Sequence, residues 1–171
     1  MLCLNSLQFL KLKHLQSFLF KGCKLKQSIP CEMKIRCYRF WRLSLEKVHM
    51  DEATLQSILS SCPLIENMHL IDCSGLYKIK AVKNMLDSLK EFVVSTCDDT
   101  RAVEVEAPNL ESFSLRCPYR FNLKLLSCLH LKKLTLTGLT IREDSFFQDL
   151  VNKFPNLKDL SIICCHIDRR I

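Results

Sequence analysis

A six-residue pattern recurs along the chain and constrains its fold more than any other feature of the sequence. Apolar residues stand at positions one, four and six of the pattern, as in Ile65–Met68–Leu70 and Leu131–Leu134–Leu136. The first apolar positions are residues 15, 40, 65, 89, 110, 131 and 157, so successive copies lie 21 to 26 residues apart. A regular period of this length indicates one stacked structural unit per copy.

The alternation predicts a short strand in each copy, because successive strand residues point to opposite faces. A period of about 20–29 residues is that of leucine-rich repeats. We therefore predict an α/β leucine-rich repeat solenoid over residues 1–171, with about seven repeats. The curved parallel sheet is expected on the concave side, with helices and irregular return segments on the convex side. The register of residues 1–14 and 26–39 stays open, including whether Leu7–Leu10–Leu12 forms an eighth strand.

The return segments differ in kind. Residues 51–62 and 145–154 show apolar residues at helical spacing, with Asp51 and Asp144 placed to cap the two helices. The returns of the repeats that begin at 89 and 110 are shorter and more polar. We expect extended or turn-like segments there.

Cysteine usage favours a reduced, intracellular protein, cytoplasmic or nuclear. The count of 11 is odd, and no Asn-x-Ser/Thr sequon, signal peptide or membrane-spanning run is present. Four cysteines occupy the ninth repeat position, where a small buried group satisfies turn backbone: Cys23, Cys73, Cys97 and Cys165. Without a Cys-x-x-Cys pair, we expect no metal and no cofactor.

The net charge of +7 is concentrated at the N-terminal end. Residues 1–50 hold ten Lys and Arg against two Asp and Glu, whereas residues 51–171 are nearly balanced. We favour solvation of an apolar region as the role of these basic residues and do not expect nucleic acid as the main partner. The binding of nucleic acid or another polyanion is the alternative function. The members of this basic cluster are Lys11, Lys13, Lys21, Lys24, Lys26, Lys34, Arg36, Arg39 and Arg42.

Three segments resemble the leucine-rich repeat region of plant F-box/leucine-rich repeat proteins. They are LSLEKVHMDEATLQSILSSCPLIENMHLIDCSGL at 43–76, EAPNLESFSL at 106–115 and LTLTGLTIREDSFFQDLVNKFPNLKDLSI at 134–162. The capped helix followed by Ser-Cys-Pro-Leu-Ile-Glu and Leu-Ile-Asp-Cys is more specific than the leucine pattern alone.

The resemblance implies target recognition within an SCF-type cullin-RING ubiquitin ligase, in which an F-box docks on the ligase adaptor and the repeats hold the protein substrate. We find no F-box in the sequence. Adaptor binding is therefore expected only if an F-box is present elsewhere, and a non-functional truncated remnant is a further alternative.

Protein binding is expected on the concave face, where residues two, four and six positions after each first apolar residue point outward. We expect neither a membrane partner nor enzymatic activity, because no catalytic groups converge in the pattern. The outward residues with the most binding chemistry are Arg42, Asn67, His69, Glu91, Arg116, Lys133 and Asp159.

Overall fold

The fold is described from a computed structural model for residues 16–25, 40–81, 86–117, 122–138, 140–141, 146–163 and 166–167. The expectations for Leu7–Leu10–Leu12, for residues 26–39 and for the Asp144 cap lie outside these residues. In chain order the elements are β1 (Ser17–Lys21), β2 (Arg42–Glu46), α1 (Glu52–Ser61), β3 (Asn67–Ile71), β4 (Lys78–Ala81), β5 (Glu91–Ser95), β6 (Ala102–Glu106), β7 (Ser112–Arg116), β8 (Asn122–Leu126), β9 (Lys133–Thr137), β10 (Thr140–Ile141), α2 (Phe146–Lys153), β11 (Asp159–Ile163) and β12 (His166–Ile167).

Seven parallel strands form the main sheet, in the order β1-β2-β3-β5-β7-β9-β11. Every strand begins two residues after a first apolar position of the sequence pattern and covers five residues. The pairing keeps equivalent repeat positions side by side, as in Leu45↔Leu70 and Leu70↔Val94. The predicted solenoid and the predicted strands are confirmed.

The core lies on one face of the main sheet, because the second and fourth residue of each strand point inward. Phe92 and Phe113 sit side by side on β5 and β7 with their ring centroids 5.7 Å apart. The fully buried inward residues include Leu43, Leu45, Met68, Leu70, Phe92, Val94, Phe113, Leu115, Leu134 and Leu136.

Helix α1 confirms the first predicted helix and its cap. The Asp51 carboxylate accepts a hydrogen bond from the backbone N–H of Thr54 at 2.7 Å, which satisfies one free donor of the first turn. Hydrogen bonding from Thr54 is the leading reason that the pKa of Asp51 is lowered. Leu55 and Leu59 face the core and are fully buried.

Helix α2 confirms the second predicted helix, with one difference in the face it buries. Leu150 and Phe154 pack into the core, but Val151 is 56% exposed although its spacing placed it on the apolar face. The helical period fixes a stripe of about 100° but not the rotation of the helix against the sheet.

The return segments of three consecutive repeats form a second parallel sheet, in the order β4-β6-β8. Its strands β6 and β8 confirm the extended returns expected in the repeats that begin at 89 and 110. Strand β4 was not predicted from the sequence, since the four residues KIKA are short and half charged.

Helix α1 closes the free edge of this second sheet with two side chains. The Glu52 carboxylate accepts hydrogen bonds from the backbone N–H groups of Tyr77 and Lys78, at 2.7 and 3.1 Å. The Gln56 amide donates to the carbonyl of Lys80 at 2.7 Å. Both kinds of backbone group on the β4 edge thus have partners, which protects the edge from unintended pairing. The hydrogen bond from Lys78 is the largest cause of the lowered pKa of Glu52.

The cysteines of the ninth repeat position are structural where the structure describes them. Cys73 and Cys97 are buried, and their thiols donate to the carbonyls of Leu45 at 3.3 Å and Ser95 at 3.6 Å. A hydrogen bond with the Cys73 thiol and burial both raise the pKa of Cys97, so this thiol stays protonated. Cys23 is half-buried, and Cys165 lies outside the described residues.

Candidate functional site

The face of the main sheet opposite the core is the candidate binding surface, and we call it the open face. Each strand contributes three side chains to it, and parallel pairing aligns them in three rows. The first row is Ser17, Arg42, Asn67, Glu91, Ser112, Lys133 and Asp159. The middle row is Leu19, Ser44, His69, Val93, Ser114, Thr135 and Ser161. The third row is Lys21, Glu46, Ile71, Ser95, Arg116, Thr137 and Ile163.

All seven residues singled out from the sequence lie on this face. Five of them share the first row, whereas His69 belongs to the middle row and Arg116 to the third. Strand pairing places Asn67 between Arg42 and Glu91, and Lys133 beside Asp159. The side chains of His69 and Glu91 also approach each other, with His69 Nε2 3.8 Å from Glu91 Oε1. The binding role of all seven stays a prediction.

The pair of His69 and Glu91 marks the centre of the open face. Nε2 of His69 is buried and lacks a hydrogen-bond partner among the described residues, at a distance from Glu91 too long for a hydrogen bond. A buried polar atom without a partner costs free energy unless a ligand or water satisfies it. This position is therefore ready to accept or donate one further hydrogen bond.

The cations of the open face differ in how they are compensated. Lys21 is ion-paired to Glu46, with Nζ 2.7 Å from Oε1. The Arg42 guanidinium lies 5.8 Å from the centroid of the Trp41 ring, an arrangement that supports a cation–π contact. Arg116 and Lys133 are exposed, and neither side chain forms an ion pair or hydrogen bond with any part of the chain that the structure describes.

A charge ladder borders the open face where the strands begin. The residues just before β3, β5, β7 and β9 are Glu66, Lys90, Glu111 and Lys132. Lys90 pairs with Glu66 at 2.8 Å, and Lys132 pairs with Glu111 at 2.9 Å. The Glu66 partner raises the pKa of Lys90, and the Lys132 partner lowers the pKa of Glu111. These border lysines are already neutralised.

A turn ladder borders the open face where the strands end. Residues after several strands adopt a left-handed backbone, with φ between 52° and 83° at Gly22, Lys47, Asp72, Thr96 and Gly138. Each N–H donates to the last residue of the next strand, for example Lys47 to the carbonyl of Ile71 at 2.8 Å. The sequence signal for such turns is glycine, but only two of these five positions carry it.

A third ladder, which was not predicted from the sequence, links the turns that precede the strands. Asn109, His130 and Asn156 stand one residue before a first apolar position. Their side chains donate to the carbonyls of Asp87, Pro108 and Leu129 in the preceding repeat, at 2.7, 2.8 and 2.8 Å. The sequence contains a signal for this ladder, since all three residues share one repeat position. The signal is weak because both asparagine and histidine fill that position.

Outside the open face, one polar contact of the described residues involves a histidine and a serine. Nδ1 of His49 and Oγ of Ser74 are 3.0 Å apart, on turns of neighbouring repeats and in an exposed position. This hydrogen bond joins the two turns, and its exposure argues against the water-excluded setting of most catalytic sites. The described residues include no cluster of three or more His, Cys, Asp or Glu side chains suited to a metal ion. Across these same ranges, no helix has the length and apolar character required to cross a membrane.

A sequence model of the leucine-rich repeat domain of At1g61320/AtMIF1 matches residues 3–167. The chain belongs to this family. It is also similar to the FBD-associated F-box protein At1g61320 of Arabidopsis thaliana, with 28% identity over 111 residues. The match covers 63% of the chain and 23% of that relative, so the chain spans about a quarter of its length. No solved structure gave a significant match. The sequence-based assignment to plant F-box/leucine-rich repeat proteins is thus confirmed at the level of the repeat domain.

Proposed function

We propose that the chain is a protein-interaction module that holds a polypeptide target on its open face. The observation that carries this proposal is the aligned set of three rows, which presents 21 outward side chains on seven adjoining strands. Side chains fixed in this way on a rigid sheet lose little entropy when a partner binds. Membership in the leucine-rich repeat family supports the same class of function.

We further propose that the bound target is a substrate of an SCF-type ubiquitin ligase. The support is the similarity to an F-box protein. Recruitment of the ligase adaptor would then depend on an F-box outside these 171 residues. A pull-down from plant extract with the tagged chain, read by mass spectrometry for the adaptor and for other proteins, tests both parts.

Steric blocking makes this experiment specific for the open face. Ser44→Trp and Ser95→Trp place bulky rings over β2 and β5, and Asn122→Trp adds the same ring to the outer side of the second sheet. We expect the first two variants to lose the captured proteins and the third to keep them. Equal capture by all three variants would contradict binding on the open face.

The alternative of polyanion binding has a separate test. Of the nine basic residues in the N-terminal cluster, the structure describes Lys21, Lys24 and Arg42, and Lys21 is already paired with Glu46. Binding to duplex DNA would fall steeply with salt, with a log–log slope near −0.9 per phosphate contacted. Capture that survives moderate salt would speak against this alternative.

A further inference from the structure

Six residues of β7 and β9 form a two-by-three grid on the open face, which we call the β7–β9 patch. Parallel pairing places Ser112 beside Lys133, Ser114 beside Thr135 and Arg116 beside Thr137. The two cations therefore occupy diagonally opposite corners. Four small hydroxyl side chains fill the remaining positions.

The dimensions of a parallel sheet let both cations reach the same bound group. Residues rise by about 3.3 Å along a strand, and neighbouring strands lie about 4.8 Å apart. The Cα atoms of Arg116 and Lys133 are thus each about 7 Å from the centre of the patch, by the same dimensions. Long basic side chains cover such a distance. A single anion above Ser114 and Thr135 can be contacted from both corners.

The charges of the patch are available because no neighbouring carboxylate of the described chain pairs with them. Glu111, which adjoins the patch, is paired with Lys132 at 2.9 Å. Asp159 is the register partner of Lys133 on β11, yet within the described ranges its carboxylate forms no ion pair. By contrast, Lys21 has its carboxylate partner on the same sheet. Arg116 and Lys133 are the uncompensated cations of the C-terminal half of this face, as far as the structure describes it.

From this arrangement we propose that the β7–β9 patch binds an acidic segment of the protein target. The inference rests on the proposed function and specifies the chemistry of the partner. A glutamate or aspartate carboxylate lies between Arg116 and Lys133, and the hydroxyls of Ser114 and Thr135 donate hydrogen bonds to it. Charge-assisted hydrogen bonds of this kind are stronger than neutral ones and give the face a preferred site.

Isothermal titration calorimetry with a short glutamate-rich peptide tests this proposal, with the glutamine-substituted peptide as the control ligand. The test variant is Arg116→Gln combined with Lys133→Gln. The matched control is Lys80→Gln combined with Lys124→Gln, which removes the same charge from the outer side of the second sheet. We expect at least tenfold weaker binding for the test variant and less than twofold weakening for the control. Thermal melts verify that both variants are folded.

Two results would overturn the proposal. Equal weakening by both double variants would show general attraction to a basic protein, and equal binding of the glutamate and glutamine peptides would show that charge is not recognised. Failure here is separable from failure of the proposed function. Tryptophan variants that abolish capture of a protein, together with an unaffected Arg116→Gln/Lys133→Gln variant, would leave protein binding in place and refute the acidic segment alone.

Discussion

The left-handed turns show how single residues set the spacing of the repeats. Gly75 has φ +84°, and a Cβ atom built there would lie 2.6 Å from the backbone oxygen of Met50. Gly22 has φ +65°, but a Cβ atom there would meet nothing within 4 Å. Both glycines meet a conformational need, whereas only Gly75 also permits a close approach between repeats.

We predict that Gly75→Ala destabilises the protein more than Gly22→Ala. The left-handed conformation alone should cost about 1–2 kcal/mol at either position. Gly75→Ala adds a contact with backbone atoms that cannot move aside. Its free energy of unfolding should therefore fall by at least about 1 kcal/mol more than that of Gly22→Ala. Chemical denaturation of the two variants measures the difference. Equal losses would show that the turn at Gly75 has room to adjust.

The hydrogen bond from His130 to Pro108 leads to a second prediction at this scale. Because asparagine performs the same task at positions 109 and 156, His130→Asn should keep the stability of the native chain. His130→Ala should lose about 0.5–1 kcal/mol, the usual net value of one hydrogen bond. Denaturation midpoints decide the matter, and an Asn variant as unstable as the Ala variant would contradict the ladder.

Residue-scale contacts were the least predictable part of the molecule. The burial of Cys73 and Cys97 followed from their repeat position, since a small thiol fits beside turn carbonyls. The left-handed backbone at Lys47 and Thr96 could not be predicted from the sequence, because pairing with the next strand imposes it against the local preference of these residues. The uncompensated charges of Arg116 and Lys133 could not be predicted either. They depend on which carboxylates of the neighbouring repeats are already paired with other cations.

At the scale of elements, α1 and β4 behave as one unit. Glu52 and Gln56 on the helix satisfy three backbone groups near the edge of the strand. The strands of the main sheet were predictable from their alternation alone, whereas β4 depends on this helix beside it. A short segment with two lysines becomes a strand because its partners on both sides are already in place.

The lowered pKa of Glu52 predicts a specific dependence of stability on pH. A carboxyl whose pKa is depressed in the folded state contributes fully above the unfolded value, about 4.3 for glutamate. The contribution is lost as the pH falls through the folded pKa. The difference in melting temperature between the native chain and Glu52→Gln should therefore be present near neutral pH and shrink below about pH 4.

A matched variant controls for general acid effects. Glu106→Gln removes a carboxylate from the outer side of the same second sheet, at a position without a bond to the β4 edge. Near neutral pH its melting temperature should stay close to that of the native chain. A difference for Glu52→Gln that stays constant down to about pH 3, well below the unfolded value, would mean that the ionised carboxylate is not what holds the edge.

At the scale of the whole molecule, the core thins toward the last strand of the main sheet. Leu134 on β9 and Leu160 on β11 are register partners of the same residue type. Leu134 is 1% exposed, but Leu160 is 38% exposed. Equivalent positions of the residue pattern are therefore not equally buried along the sheet, which the pattern itself does not record.

These two leucines give a matched test of that difference. Leu134→Ala should cost about 2–5 kcal/mol, as for other buried leucines. Leu160→Ala should cost less than half as much, because less apolar surface is buried there. Equilibrium unfolding in urea provides both values. Equal costs would indicate that the last strand is packed as tightly as the interior ones.

The single tryptophan of the chain stands at the border of the open face and makes the protein its own optical reporter. Trp41 is 40% exposed and has the Arg42 guanidinium over its ring. A target that reaches β2 will displace water or Arg42 and shift the emission of the indole. One that occupies only β7 and β9 will leave the spectrum unchanged, so the colour of the emitted light shows how far along the sheet a bound polypeptide extends.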